Sequence, residues 1–252
     1  MTLKFLGTGT STGVPVLLCD CAVCTSSDPQ DKRLRPSIAL EYGGRTVVFD
    51  TTPDFRAQAL RAGLARLDAI VYTHHHADHI MGLDDTRVFY FRQQAPITIY
   101  AEAHCMARLR VTFGYIFNGD YPYGGVVKLD PRIIDSAFEL WGLKVTPVPV
   151  LHGNLPIFGF RFHDAAYVTD VSEIPESSIP LLEGLDTLIL DGLRPKPHPT
   201  HFSLSQAVAM VERLKPRRAF FTHISHELSH RQTNSTLPPN VQLAYDGLQL
   251  EV

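Results

Sequence analysis

Short apolar runs alternate with helical stretches along most of the chain. Thr2–Leu6 predicts a strand that ends in a glycine-rich turn, Gly7-Thr8-Gly9-Thr10-Ser11-Thr12-Gly13. Ile38–Tyr42 and Thr46–Asp50 flank Gly43-Gly44, a two-residue hairpin signal, because such a turn needs positive φ at both central residues. Phe55–Ala62 predicts a helix behind Pro53-Asp54, and Ala69–Thr73 a strand. Leu83–Tyr90 predicts a helix, Ile97–Tyr100 a strand and Ala103–Val111 a further helix. Residues 112–135 are rich in Gly, Tyr, Phe and Asn and predict a partly irregular excursion.

Strand character returns at Lys144–Val150, Ile157–Phe162 and Ala166–Thr169, and Leu185–Asp191 is apolar enough for a buried strand. Ser203–Leu214 is an amphipathic helix with a serine cap, Arg218–Thr222 the next strand, and Leu248–Val252 a closing one. The chain shows no repeat, low-complexity run or linker, so a single domain over residues 1–252 is expected. Strands lead in both halves. That order fits a four-layer αββα sandwich, and on pattern alone it fits a three-layer α/β fold equally well.

Composition narrows the function classes. With 252 residues, 44% hydrophobic and 19% charged, the chain can bury a sizeable core. A net charge of -3 gives no global attraction to nucleic acid or to an anionic membrane. No apolar run reaches the roughly 18–20 residues of a membrane helix. Met1–Gly7 is too quickly interrupted for a signal peptide, so a cytoplasmic location is expected.

The 4 cysteines and 12 histidines are unevenly placed. Cys19, Cys21 and Cys24 sit together, which suggests a metal rather than a disulfide framework, and Cys105 stands alone as a small core residue. Histidines concentrate at 74–79 and 223–230. The decisive stretch is Thr73-His74-His75-His76-Ala77-Asp78-His79, directly behind an apolar strand. Imidazole and carboxylate suit Zn²⁺, Mn²⁺ or Fe, and four such groups in six residues can serve two ions. An expression tag would sit at a terminus.

The pattern H-x-H-x-D-H at 74–79 resembles the signature of the metallo-β-lactamase superfamily, which implies the four-layer sandwich. The resemblance predicts further ligands just past apolar runs, and Asp50, His152, Asp170 and His223 stand at those places. It implies that His74, His76 and His152 hold one metal, that Asp78, His79 and His223 hold the other, and that Asp170 bridges both. Asp50 would orient a ligand by hydrogen bonding. His75 receives no role.

The loop Cys19-Asp20-Cys21-Ala22-Val23-Cys24 resembles one found in PhnP-like phosphodiesterases and PqqB-like proteins. The PhnP resemblance extends through Gly7-Thr8-Gly9, Ser225-His226 and Tyr245-Asp246-Gly247. It implies a structural zinc held by Cys19, Cys21, Cys24 and His226. It also implies a histidine near the leaving group, His201, which the spacing to the following helix favours over His198. The implied catalytic groups are then His201, Asp78 and Asp50. The implied activity is hydrolysis of a small phosphodiester, a cyclic ribosyl one included, by a hydroxide shared between two divalent ions, Zn or Mn. Ser11-Thr12-Gly13-Val14-Pro15 and residues 112–135 match the family less firmly. Three other readings stand beside this one: a tRNase Z-like endonuclease, a lactone or thioester hydrolase, and a non-hydrolytic PqqB-like cofactor-biosynthesis protein. No membrane or nucleic-acid partner is expected, and the reading leaves room for a homodimer.

Overall fold

The computed structural model describes residues 1–119 and 124–252. Two seven-stranded sheets carry the chain. One holds β1 (Thr2–Gly7), β2 (Ser37–Tyr42), β3 (Arg45–Phe49), β4 (Ala69–Val71), β5 (Ile97–Ala101) and β6 (Leu129–Ile133), side by side in that order. The other runs from β7 (Phe138–Leu140) through β8 (Leu143–His152), β9 (Leu155–Phe162), β10 (Ala165–Val168), β11 (Thr187–Asp191) and β12 (Arg218–Thr222) to β13 (Val241–Leu243). The last strand, β14 (Gln249–Glu251), crosses back to pair antiparallel with β1. Helices α1 (Phe55–Ala62), α2 (Ala77–Ile80), α3 (Arg87–Gln93), α4 (Ala103–Thr112), α5 (Gly114–Phe117), α6 (Leu204–Leu214) and α7 (His230–Asn234) fill the connections. Among the described residues no helix is long and apolar enough to cross a membrane.

Side-chain alternation decides between three layers and four. In β3, Val47 and Phe49 face the second sheet while Val48 faces outward. In β11, Ile189 faces the first sheet while Leu188 and Leu190 face outward. The inward set meets in a shared core, where the Phe49 ring lies 5.6 Å from both Phe160 and Phe162. The outward sets are covered by helices. Phe55 of α1 and Met106 and Leu109 of α4 pack over Val48, Ile70 and Ile99. Ala207, Val211 and Leu214 of α6 pack with Leu188, Leu190 and Phe221. The architecture is therefore a mixed α/β sandwich of two packed sheets between helical layers.

Each sheet is antiparallel on one side and parallel on the other, with β3 to β6 and β10 to β13 running parallel. The carboxyl ends of parallel strands collect at one rim, where open α/β sheets tend to bind ligands.

Several details differ from the sequence expectation. The Gly43-Gly44 hairpin forms, with φ of 53° and 72° at its glycines and Tyr42 paired to Arg45. Leu83–Tyr90 instead splits into a 3₁₀ turn, Leu83–Thr86, followed by α3. The excursion at 112–135 contains α5 and β6, and part of it, 120–123, lies outside the described residues. The unexpected strands β6, β7 and β13 are all sheet edges. An edge strand tolerates proline and charge, as in Leu-Asp-Pro-Arg-Ile of β6, and so carries little apolar periodicity.

Candidate metal centre

The rim gathers its polar residues from the ends of six strands. Thr73 follows β4, and the short helix α2 then turns Asp78 and His79 back toward the rim. Asp50 follows β3, Asp170 lies two residues past β10, His223 follows β12, and Asp191 is the last residue of β11. His152 was expected beyond its strand. Instead β8 continues through it, and His152 pairs with Leu155. Asp50, Asp170 and His223 adopt left-handed backbone, with φ of 64°, 55° and 58°. Side chains other than glycine rarely take this conformation, and Asp and His tolerate it better than most. It lets the chain turn sharply at the strand end while the side chain stays at the rim.

Two groups of side chains converge. The ligand atoms of His74, His76 and His152 lie within 4.8 Å of one another, as do those of Asp78, His79, Asp170 and His223. Asp170 stands between the groups. Its Oδ2 is 3.8 Å from His74 Nε2, 4.0 Å from His152 Nε2 and 3.3 Å from His223 Nε2, and its Oδ1 is 3.3 Å from His79 Nε2. His75 belongs to neither group; its ring lies 4.9 Å from that of His104.

The hydrogen bonds behind these rings fix which nitrogen faces the centre. His79 Nδ1–H donates to Asp50 Oδ2 (2.8 Å). Thr73 donates its hydroxyl to the same oxygen (2.8 Å) and its N–H to Asp50 Oδ1 (2.9 Å). That leaves Thr73 Oγ1 to accept from His74 Nδ1–H (3.0 Å). His152 Nδ1–H donates to the Thr200 carbonyl (2.7 Å). Three imidazoles thus spend Nδ1 on the protein and direct Nε2 into the centre. Nε2 of His74, His79 and His223 is buried, and among the described residues no hydrogen bond of good geometry satisfies it, despite the nearby carboxylates. Buried polar atoms left in this way call for a partner, and a divalent cation suits these donors.

Charge points the same way. Burial would raise the Asp78 and Asp170 carboxyls, but the surrounding imidazoles outweigh it and hold both below the usual carboxylate range. Burial would lower His223, yet Asp170, Asp78 and Asp191 push it up to about 9. His79 is raised in the same sense, chiefly by Asp170 against burial. The pocket demands positive charge, which protons or metal ions can supply.

His201 lies beside both groups. Its ring stacks on that of His223 at 4.5 Å and sits 4.7 Å from that of His152. Its Nδ1–H donates to Asp191 Oδ2 (2.7 Å), an oxygen that also accepts from the Val171 N–H (2.9 Å). Sequence reasoning did not single out Asp191. The available signal was an aspartate closing the apolar run Leu188-Ile189-Leu190, the same context that drew attention to Asp50. His198 is near too, its ring 5.1 Å from that of His201.

A second cluster forms away from the rim. Sγ of Cys19, Cys21 and Cys24 lie 3.2, 3.4 and 3.6 Å from His226 Nδ1. Backbone N–H groups of Val16 and Cys24 donate to Cys24 Sγ and Cys21 Sγ. The donation from Cys24 and the neighbouring His226 lower the Cys21 thiol to about 6, whereas burial pushes Cys24 up to about 11. Four soft donors this close fit a closed tetrahedral zinc site. Cys105, on α4, is buried in the outer core.

Known proteins resemble this chain in sequence and fold. A family model described as a beta-lactamase superfamily domain matches residues 45–224. A solved structure described as a new diphosphatase from the PhnP family is 51% identical, with a TM-score of 0.94 over 100% of this chain and 97% of that one. The Zn²⁺-bound PqqB of Methylobacterium extorquens is 21% identical, with a TM-score of 0.79 over the whole of both chains, and shows the shared fold. An octanoyltransferase of Porphyromonas gingivalis is 37% identical over 99% of this chain, which spans about half (51%) of that protein's length.

Proposed function

The chain belongs to the metallo-β-lactamase superfamily and, within it, to the PhnP family, and from that premise we propose that this metal-dependent hydrolase uses two divalent ions to cleave small phosphodiesters. One observation carries the two-ion reading: three imidazoles tied back through Nδ1 aim Nε2 at a centre divided by one carboxylate, Asp170. His74, His76 and His152 would hold one ion, Asp78, His79 and His223 the other, with Asp170 shared. Bound there, two ions would supply Lewis acidity and lower the pKa of water.

The chain's own residues supply the rest. Asp50 holds His79 in one tautomer, and the Thr200 carbonyl does the same for His152. Asp191 holds His201 so that its Nε2 faces the rim. Protonated, His201 would donate to the departing oxygen, a step that matters most for poor leaving groups. Cys19, Cys21, Cys24 and His226 would hold a structural zinc, of the kind that contributes to folding. The octanoyltransferase is about twice as long as this chain.

Two measurements test the proposal. Elemental analysis should give three ions per chain, two of them removed reversibly by chelation together with activity. A substrate panel should show turnover of bis(p-nitrophenyl) phosphate and of alkyl or cyclic phosphodiesters. Brisk lactone or thioester hydrolysis without phosphodiester turnover would overturn the substrate class.

A further inference from the structure

We propose that His198 and Lys196 form a subsite for a second anionic group on the leaving side of the substrate, so that the preferred phosphodiesters are those whose leaving group itself carries a phosphate, disubstituted diphosphates among them. This rests on the phosphodiester reading above and deepens it.

The loop Arg194-Pro195-Lys196-Pro197-His198-Pro199-Thr200-His201 places a proline after each of Arg194, Lys196 and His198. Each proline fixes its own φ and restricts the residue before it to extended backbone, so little conformational freedom remains to be lost on binding. The Arg194 guanidinium closes the loop by donating to the carbonyls of Lys196 (3.3 Å) and Pro197 (3.0 Å).

Thr200 then sets both histidines that flank its segment. Its carbonyl orients His152, as described, while its N–H and hydroxyl lie 3.3 and 3.1 Å from His198 Nδ1. A backbone N–H can only donate, so His198 Nδ1 accepts and the proton resides on Nε2. That Nε2–H has no hydrogen-bond partner among the described residues, and the ammonium of Lys196, exposed two residues earlier, has neither a hydrogen-bond nor an ion-pair partner among them. The loop therefore presents an oriented donor one ring outward from His201, with the unpaired ammonium of Lys196 two residues earlier on the same loop. Burial is the largest influence on His198 and favours its neutral form, and the guanidinium of Arg194 adds a fixed positive charge nearby. A rim of this kind suits an anion. An apolar or aryl leaving group would make no use of it.

The chemistry balances with water alone. Water's oxygen forms the new bond to the attacked phosphorus. The bridging P–O bond breaks, and its electron pair leaves on the second phosphate. The two water protons end on the product phosphates or in solvent.

The test compares thymidine 5′-diphosphoglucose with p-nitrophenyl thymidine 5′-phosphate, using the metal-loaded enzyme. Attack at either phosphorus of the first substrate expels a phosphate monoester; the second expels a phenolate. Loss of a hydrogen bond to a charged group corresponds to about tenfold or more in affinity. His198→Gln should therefore raise KM for the diphosphate about tenfold more than for the aryl ester. Lys196→Gln should shift KM in the same direction, and its exposed position keeps it folded should the first variant fail. Metal content should match the wild type in both. Equal shifts on the two substrates in both variants, or a wild type that turns over only the aryl ester, would overturn the subsite alone. A wild type that turns over neither would overturn the phosphodiester reading and the subsite with it.

Discussion

Asp170 is the residue through which the two halves of the centre communicate, because its two oxygens face imidazoles from both groups. Asp170→Asn keeps the shape and removes the charge. It should lower ion content below wild type and reduce turnover by orders of magnitude, as read by elemental analysis and kinetics. His201 and Asp191 form a separate pair. His201→Ala should lose much more rate on an alkyl phosphodiester than on bis(p-nitrophenyl) phosphate, since general acid catalysis contributes typically ~10²–10⁴-fold and a nitrophenolate needs no proton. Asp191→Asn should show part of the same selective loss. Equal losses on both substrates would remove the acid role, and loss of an ion in His201→Ala would make His201 a ligand. Residues of this kind differ in how readily sequence reveals them. His74 to His79 are readable because six residues hold four candidate ligands. Asp191 was missed because its meaning depends on His201 ten residues later, and a lone aspartate at a strand end is most often structural.

Among the elements, the cysteine loop and the segment behind His223 are joined twice. The Cys cluster reaches His226, and buried Arg33 donates to the carbonyls of Ser225 (3.2 Å) and Leu228 (2.8 Å) and to Asp31 (3.1 Å). The proposed zinc therefore braces the same segment that presents His223. His226→Ala should lower the melting temperature and release one zinc, with a smaller effect on turnover per remaining active site. Full zinc content and an unchanged melting temperature would remove the four-ligand assignment. Helix α6 was readable from its stripe and its serine. The structure adds the reciprocal cap, with Ser203 Oγ accepting from the Gln206 N–H and the Gln206 side chain accepting from the Ser203 N–H. The strands readable in advance were those with a buried face. Edges such as β6 and β13 are specified by pairing with a neighbour and leave only a weak local pattern.

Over the whole molecule, two sheets share one inner core, and the rim joins strand ends from both. Metal occupancy should therefore be felt globally. Without ions, His223 is raised from 6.5 to about 9, and His79 is raised in the same sense. With the two rim ions removed and the cysteine cluster still holding its zinc, the folded chain binds protons at these two histidines more tightly than the unfolded one. That stabilisation is complete below about pH 6.5 and is lost as the pH climbs through about 9. The melting temperature of protein without the rim ions should fall across this window. The loaded protein, with ions in place of those protons, should hold level. A form without the rim ions whose melting temperature stays flat or rises would contradict the charge balance described for the rim. The left-handed backbone at Asp50, Asp170 and His223 also bears on descent. Even in a lineage that abandoned catalysis, the turns at the strand ends would still have to be made. Drift at these three positions should be confined largely to Gly, Asn, Asp and His, with Val and Ile excluded. A saturation library selected for folding alone, in an inactive background, would display that filter, so the outline of the site should outlast its activity.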